Sequence, residues 1–293
     1  MALSGAINTL LEQTATNIRA SIIDMLIEAG SGHTAGPLDM TDVFTYLYFH
    51  RLNHRPKEMD WKDRDRVILS NGHICPVLYA TMAHAGYFPV SELKTLRKFK
   101  SRLQGHPHRE WLRGLETSSG PLGSGLSQAV GMAIAERMNV GRSSSKQIYC
   151  FTGDGELNCG QIWEALLLAG REKLQNLTVI VDRNNIQIDG FTEDVMPLNP
   201  LKAKFESFNF HVVEIDGHNF DDIDRGFGES LAVFDRPSVI IANTIPSKGI
   251  PAFERKFEWH GKPPVTDEEK RMAHEAIAHL RSMGGKIRSS HID

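Results

Sequence analysis

The run from Gln147 to Gly190 constrains the fold more tightly than any other part of the chain. It reads QIYCFTGDGELNCGQIWEALLLAGREKLQNLTVIVDRNNIQIDG, which divides into strand, glycine turn, helix, strand and a second polar turn. The strands, Gln147 to Thr152 and Leu177 to Asp182, are apolar and β-branched without alternation, as expected of a parallel sheet buried on both faces. Between them, Gly160 to Leu174 carries Ile162, Leu166, Leu167, Ala169 and Leu174, an apolar stripe suited to a crossover helix. The whole is one βαβ unit.

Both turns fall at carboxyl ends of strands, where open α/β sheets present their ligand loops. Asp154 offers a hard anionic oxygen and Asn184, thirty residues on, a neutral carbonyl oxygen. These are ligand types that Mg²⁺ or Ca²⁺ prefer, and glycines beside them let backbone N–H groups approach a phosphate. A bare Gly-Asp-Gly is more often only a tight turn. The combination with a second strand ending in VDRNNIQIDG suits a metal that carries a diphosphate.

The rest of the chain extends the same pattern. Helical spacing from Leu3 to Ala29 ends at Gly30, and the GSGHTAGP loop follows with His33 among glycines. Taken alone, His33 reads as a capping or surface histidine. A helix is expected at about Leu38 to Phe49, then a short strand, Arg66 to Leu69, with His73 just past its carboxyl end and so on the same side of the sheet as Asp154. Helices are expected at Pro76 to Ala85 and at Ser91 to Phe99, the second capped by Ser91. In QGHPHRE, Pro107 between His106 and His108, with no cysteine nearby, argues against zinc. The glycine loop TSSGPLGSG, with Gly120, Gly123 and Gly125, lacks the Lys-Ser/Thr ending of a P-loop. It runs into a helix, Leu126 to Met138, whose small residues Gly131, Ala133 and Ala135 are expected to pack on a neighbour or another subunit.

Beyond the central unit come helix Leu201 to Phe208, strand His211 to Ile215, helix Asp222 to Phe234 and strand Ser238 to Ala242. This alternation predicts an α/β fold, a doubly wound parallel sheet with helices on both faces, over one domain spanning 1–293. The proline-rich segment 243–265 is long enough to cover a site or an interface. Thr266 to Glu269 forms a capping box for a last helix reaching about Met283, and 284–293 reads as a frayed tail.

With 33 Lys and Arg against 36 Asp and Glu, the chain gives no electrostatic reason to expect nucleic acid or an anionic membrane as a partner. No apolar run approaches the length of a spanning helix. Three cysteines without a CxxC pair suit a reducing compartment, so a cytoplasmic location is expected. No GxGxxG follows the first strand, which argues against a dinucleotide-binding protein.

GSGHTAGP, RVILSNGH, LQGHP, SSGPLGSGLSQAVGMA, FTGDGELN, NLTVIVDRNNIQIDG and EWHGKPP, in this order, resemble the amino-terminal half of transketolase, and the resemblance covers almost the whole chain. It implies thiamine diphosphate with Mg²⁺ or Ca²⁺, the metal held by Asp154, Asn184 and the Ile186 carbonyl. It further implies cofactor contacts from His73, Gly120, Leu122, Gly153, Gly155, Glu156, Asp182, Ile188 and His260. His33, His106 and His260 would meet sugar hydroxyls, with His73 near the reacting carbon. Imidazole suits proton movement on sugar oxygens near neutral pH.

The activity implied is glycolaldehyde transfer between sugar phosphates, as in the pentose phosphate pathway. Two places depart from the family pattern: GHTAG stands for the usual GHPG, and Cys159 stands where glutamate is usual, in a carboxylate network between paired sites. Glu164 keeps the second acidic position. The activating glutamate and most of the phosphate-gripping arginines belong to the family's other half. A separate carboxyl-terminal subunit, in a heterotetramer of two chains with two partners, is therefore expected. Other readings are a transketolase-like enzyme for a non-standard sugar, the α-type subunit of another thiamine diphosphate enzyme such as a 2-oxo acid dehydrogenase, and a non-catalytic cofactor-domain binding protein.

Overall fold

The computed structural model describes residues 3–141 and 145–287. Its strands are β1 (Arg66–Leu69), β2 (Ile148–Gly153), β3 (Leu177–Arg183), β4 (Ile186–Gln187), β5 (Gly190–Phe191), β6 (His211–Asp216) and β7 (Ser238–Asn243). The helices are α1 (Gly5–Ala29), α2 (Ala35–Asp39), α3 (Thr41–Tyr46), α4 (Cys75–His84), α5 (Ser124–Val140), α6 (Gly160–Glu172), α7 (Thr192–Val195), α8 (Leu201–Ser207), α9 (Phe220–Leu231) and α10 (Asp267–Ser282).

Five strands form a parallel sheet in the order β1-β2-β3-β7-β6. The absence of alternation in the strand sequences is explained by what each face meets. Tyr149, Phe151 and Ile180 join one core with α1, α3, α4 and α9. Ile148, Cys150, Val179 and Val181 join the other, with α5, α6 and α8. The chain steps outward from β1 to β3, skips a place to β6, and returns through α9 to β7. Right-handed crossovers then put α9 on the face opposite α6 and α8. The doubly wound arrangement is borne out.

Several boundaries differ from the sequence reading. The helix expected over Ser91 to Phe99 is a short 3₁₀ turn, Val90–Thr95, entered from Pro89 with no side-chain cap from Ser91. Only Leu93 and Leu96 are buried there, a spacing that suits three residues per turn, and Arg97 and Lys100 adopt positive φ. The helix expected from Leu38 begins earlier, at Ala35, breaks at Met40 and ends in a π turn, Leu47–Arg51. On α5, Ala133 enters the core while Gly131 and Ala135 face outward, so the three do not form one packing face. The second polar turn of the central unit folds as the β4–β5 hairpin. The capping box at Thr266 and Glu269 is present. Of the tail, 288–293 lies outside the described residues; the Gly285 amide bonds the Leu280 carbonyl, and Ile287 packs near Ala20, Ile277 and Leu280.

Segment 244–266 does not simply cross the surface. Thr244 Oγ1 donates to Asp182 Oδ1 at 2.5 Å, and the Ser247 amide donates to Asp39 Oδ1 at 2.6 Å. Beneath it, Arg19 makes a bidentate pair with Asp42 (2.8 and 2.6 Å) and donates to the Lys248 carbonyl. His218 Nε2 accepts the Ile245 amide, so its Nδ1–H faces Asp42 Oδ2 at 2.9 Å. This fully buried cluster fixes the path of the chain leaving β7.

Candidate active site

Loops from the carboxyl ends of β1, β2, β3 and β7, together with the loop after α1 and the stretch leading into α5, enclose a cleft of about 350 Å³. A larger groove of about 980 Å³ runs between α10 and residues 248–254, away from these loops.

One wall of the cleft is imidazole. The His33 and His73 ring centres lie 4.7 Å apart, His73 and His260 5.3 Å, and His33 and His260 5.6 Å. Each reaches this point from a different element. His33 follows the α1 terminus through Gly32, whose φ of +131° and close approach to Leu26 exclude a side chain. His73 sits in the turn after β1, and His260 follows Trp259, which stacks on Phe253 at 3.6 Å. Thr34 Oγ1 donates to the Lys262 carbonyl at 2.6 Å and ties the first loop to the last. Burial pushes His33 down to about 4, helped by the nearness of a second titratable ring, His260, and by the Arg97 charge, and His260 to about 4 as well; His73 falls well below the ordinary value. All three are neutral near pH 7. His106 borders the cleft beside the Gly120 backbone and is also shifted down by burial. His108 turns away, toward Trp111.

A second part of the lining is built of oxygen atoms. Asp154 is almost wholly buried; its Oδ1 accepts the Gly155 amide at 2.6 Å, and its Oδ2 accepts Arg183 Nη1 at 3.1 Å and the Asn185 amide at 2.9 Å. Burial raises it to about 6 against the pull of Arg183. Asn184 Oδ1 accepts the Ile186 amide at 3.1 Å, while its Nδ2 donates to Asp39 Oδ2 (2.9 Å) and Asp182 Oδ2 (3.1 Å). Burial lifts both of those carboxyls, and mutual proximity lifts Asp39 further.

Glu156 borders the cleft, but its carboxylate is fully engaged with protein donors. Oε1 accepts Ser70 Oγ at 2.6 Å and the Gly123 amide at 2.5 Å, and Oε2 accepts the Gly153 amide at 3.1 Å. It pins the glycine loop to the ends of β1 and β2. Ser70 and Gly125 meet so closely that a Cβ on Gly125 would lie 2.6 Å from the Ser70 Cα. Leu122 and Ile188 stand at the rim, 38% and 67% exposed. Cys159 is half-buried at the start of α6, close to Gly123.

The cleft therefore brings together every residue singled out from the sequence as a site residue. Two that sequence reasoning missed are Asp39 and Arg183. Arg183 was visible as a cation inside VDRNN, directly after an apolar strand; Asp39 gave no local signal. The donor set fits a divalent ion on a diphosphate: one carboxylate, one amide oxygen and one backbone carbonyl, all hard oxygen ligands. His33 Nδ1, His260 Nδ1, Asn71 Oδ1 and Gln187 Nε2 are buried at this cleft without protein partners, as expected where a polar ligand belongs.

Residues 11–279 match the family model described as transketolase, thiamine diphosphate binding domain. The chain belongs to the transketolase family, as this domain. Its fold class and its place in a transferase follow from that membership. It is 38% identical over 274 residues to the 6-deoxy-6-sulfo-D-fructose transketolase subunit SqwG of Clostridium sp. (strain MSTE9), covering 94% of this chain and 97% of the relative. It is 40% identical over 261 residues to an apulose-4-phosphate transketolase subunit of Actinobacillus succinogenes, covering 88% of this chain and 92% of the relative. The crystal structure of transketolase from Campylobacter jejuni superposes with a TM-score of 0.85 at 35% identity, over 92% of this chain and 43% of that one. The transketolase-family chain thus spans nearly all of the two subunit relatives and less than half of the undivided enzyme. Among the described residues no helix is long and apolar enough to cross a membrane.

Proposed function

We propose that this chain is the cofactor-diphosphate half of a transketolase that moves a two-carbon glycolaldehyde unit from a ketose phosphate to an aldose phosphate, and that a separate carboxyl-terminal subunit completes each site. The observation that carries the reading is the gathering of three neutral imidazoles and a set of oxygen donors in one cleft.

Asp154, Asn184 Oδ1 and the Ile186 carbonyl would hold Mg²⁺ or Ca²⁺, with the Gly155 amide and the His73 and His260 rings facing the diphosphate. Thiamine diphosphate, when bound, supplies a nucleophilic carbon able to take up and release the two-carbon unit. His33, His106 and His260 orient the hydroxyls of the sugar. Because burial keeps them neutral, each can offer a ring nitrogen as a hydrogen-bond acceptor to a sugar hydroxyl. Leu122 and Ile188, at the rim, would pack against the cofactor. Glu156 holds the glycine loop in place beside the cofactor.

The partner would bring the activating acid and most of the cations for the substrate phosphate. Exposed Leu167 and Leu168 on α6 mark a surface for self-association, which fits a heterotetramer. Three free cysteines, two of them buried, suit a cytoplasmic enzyme. A second reading, a sugar outside the ordinary pentose phosphates, is favoured by the two subunit relatives, named for a sulfofructose and for apulose 4-phosphate.

Purified chain should show no turnover of xylulose 5-phosphate with ribose 5-phosphate until a carboxyl-terminal partner is added, with thiamine diphosphate and Mg²⁺ present throughout. Robust turnover by the chain alone would sink the two-chain reading, and product identification by mass spectrometry over a panel of aldoses would separate the two substrate readings.

A further inference from the structure

Asp39 is a fully buried carboxylic acid at the end of α2, remote from solvent and outside the set that borders the cleft. Burying an acid is costly unless its oxygens are satisfied, and here every one is. Oδ1 takes the Ser247 amide and Oδ2 takes Asn184 Nδ2. Asp182, on β3, mirrors it: Oδ1 takes the Thr244 hydroxyl and Oδ2 takes the other side of the same Asn184 nitrogen. The Asn184 NH₂ group therefore has both hydrogens committed to two carboxyl groups on two different elements.

A side-chain amide can place its nitrogen or its oxygen toward a given point with almost no change in shape, and only its partners decide which. With both carboxyls ionised, a carbonyl oxygen turned toward Asp39 and Asp182 would meet two acceptors. On its other side the amide oxygen already receives the Ile186 N–H at 3.1 Å.

We infer that Asp39 is a positioning residue which, with Asp182, locks the Asn184 amide so that its oxygen faces the cleft as a ready-made ligand for a divalent ion. The inference rests on the cofactor reading above. It also explains why an acid lies where α2, the end of β3 and the chain after β7 meet: one carboxylate orients the asparagine and holds segment 244–247 against the site.

Two variants separate orientation from packing. Asp39→Asn keeps the volume but supplies one acceptor where two are needed, so one of its N–H groups must face either the Ser247 amide or the Asn184 amide, and the Asn184 orientation is lost. Asp39→Ala leaves a void yet presents no competing donor, so Asp182 alone can keep Asn184 in place. The metal-diphosphate donors all lie in this chain, so Mg²⁺ titrations of the purified full chain at saturating thiamine diphosphate can be followed by calorimetry, alongside thermal melting and the ¹⁵N side-chain resonance of Asn184. Asp39→Asn is expected to weaken Mg²⁺ about 10- to 100-fold, the usual range for a residue supporting a metal ligand, with the melting temperature lowered less than in Asp39→Ala and the protection of the Asn184 NH₂ from exchange lost. Asp39→Ala should melt lower but bind Mg²⁺ better than Asp39→Asn. Mg²⁺ affinity that simply follows melting temperature, with alanine the worse in both, or an Asn184 NH₂ unchanged in Asp39→Asn, would overturn the inference alone. A wild-type chain with protected Asn184 but no response to Mg²⁺ and thiamine diphosphate would overturn the cofactor reading, and the metal role of Asp39 with it.

Discussion

Acidification offers a quantitative test of the imidazole wall. His260 lies near 4 in the folded chain because burial penalises its charged form, and an unfolded histidine titrates near 6.5. A base whose folded value is depressed contributes stability that is present above about pH 6.5 and disappears as pH falls toward 4. Between about pH 8 and pH 5 the unfolded chain gains roughly 2 kcal/mol by protonating this one residue, while the folded chain gains almost nothing. His260→Gln removes the titration and keeps a polar side chain of similar reach. Urea unfolding of both proteins at the two pH values should therefore show a pH-driven loss of stability smaller by about 2 kcal/mol in the variant. His33→Gln should behave alike, since His33 also lies near 4. Equal losses in variant and wild type would mean that His260 is already protonated or already solvated in the folded state, and the argument for a neutral hydrogen-bond-accepting wall would fail.

Three further outcomes are expected. Mg²⁺ must bind ionised Asp154, which burial raises to about 6, so Mg²⁺ affinity measured by calorimetry should climb about tenfold per pH unit below 6 and level off above 7. Gly170→Ala should cost about 3 kcal/mol or fail to fold, as read by denaturant midpoint, because its Cβ would meet the Phe208 carbonyl oxygen at 1.9 Å and α6 cannot retreat from the sheet. Leu167→Glu with Leu168→Glu should leave monomer stability within about 0.5 kcal/mol but lower the assembled mass seen in sedimentation, since both side chains are exposed.

The sheet was legible because buried parallel strands have no polar face: Ile148 to Phe151 and Leu177 to Val181 could be nothing else. The positions of Asp154, His73 and Asn184 followed from strand ends alone, and the family pattern brought in His33, His106 and His260, which arrive from separate loops. Ser91 misled because its hydroxyl can cap a helix in principle, while Pro89 and the paired Leu93 and Leu96 favour a tighter turn. The part Glu156 plays in holding the glycine loop was not legible, because its three donors come from Ser70, Gly123 and Gly153, and two of those are remote in sequence. Asp39 was hidden for the same reason, since nothing near it forecasts partners at Asn184 and Ser247.

The Arg19–Asp42–His218 cluster carries a consequence for how such chains diversify. Removing any one member strands a buried charge or donor, at about 3 to 5 kcal/mol for a broken buried pair, against a total stability of about 5 to 15 kcal/mol for an ordinary domain. No single replacement there is readily survivable, so drift beneath the segment that leaves β7 requires paired changes that seldom arise together. Ile188 and Leu122 at the rim are exposed and can be exchanged one at a time. A lineage built on this scaffold is thus free to vary the rim of its cleft while the foundation under the segment after β7 stays frozen.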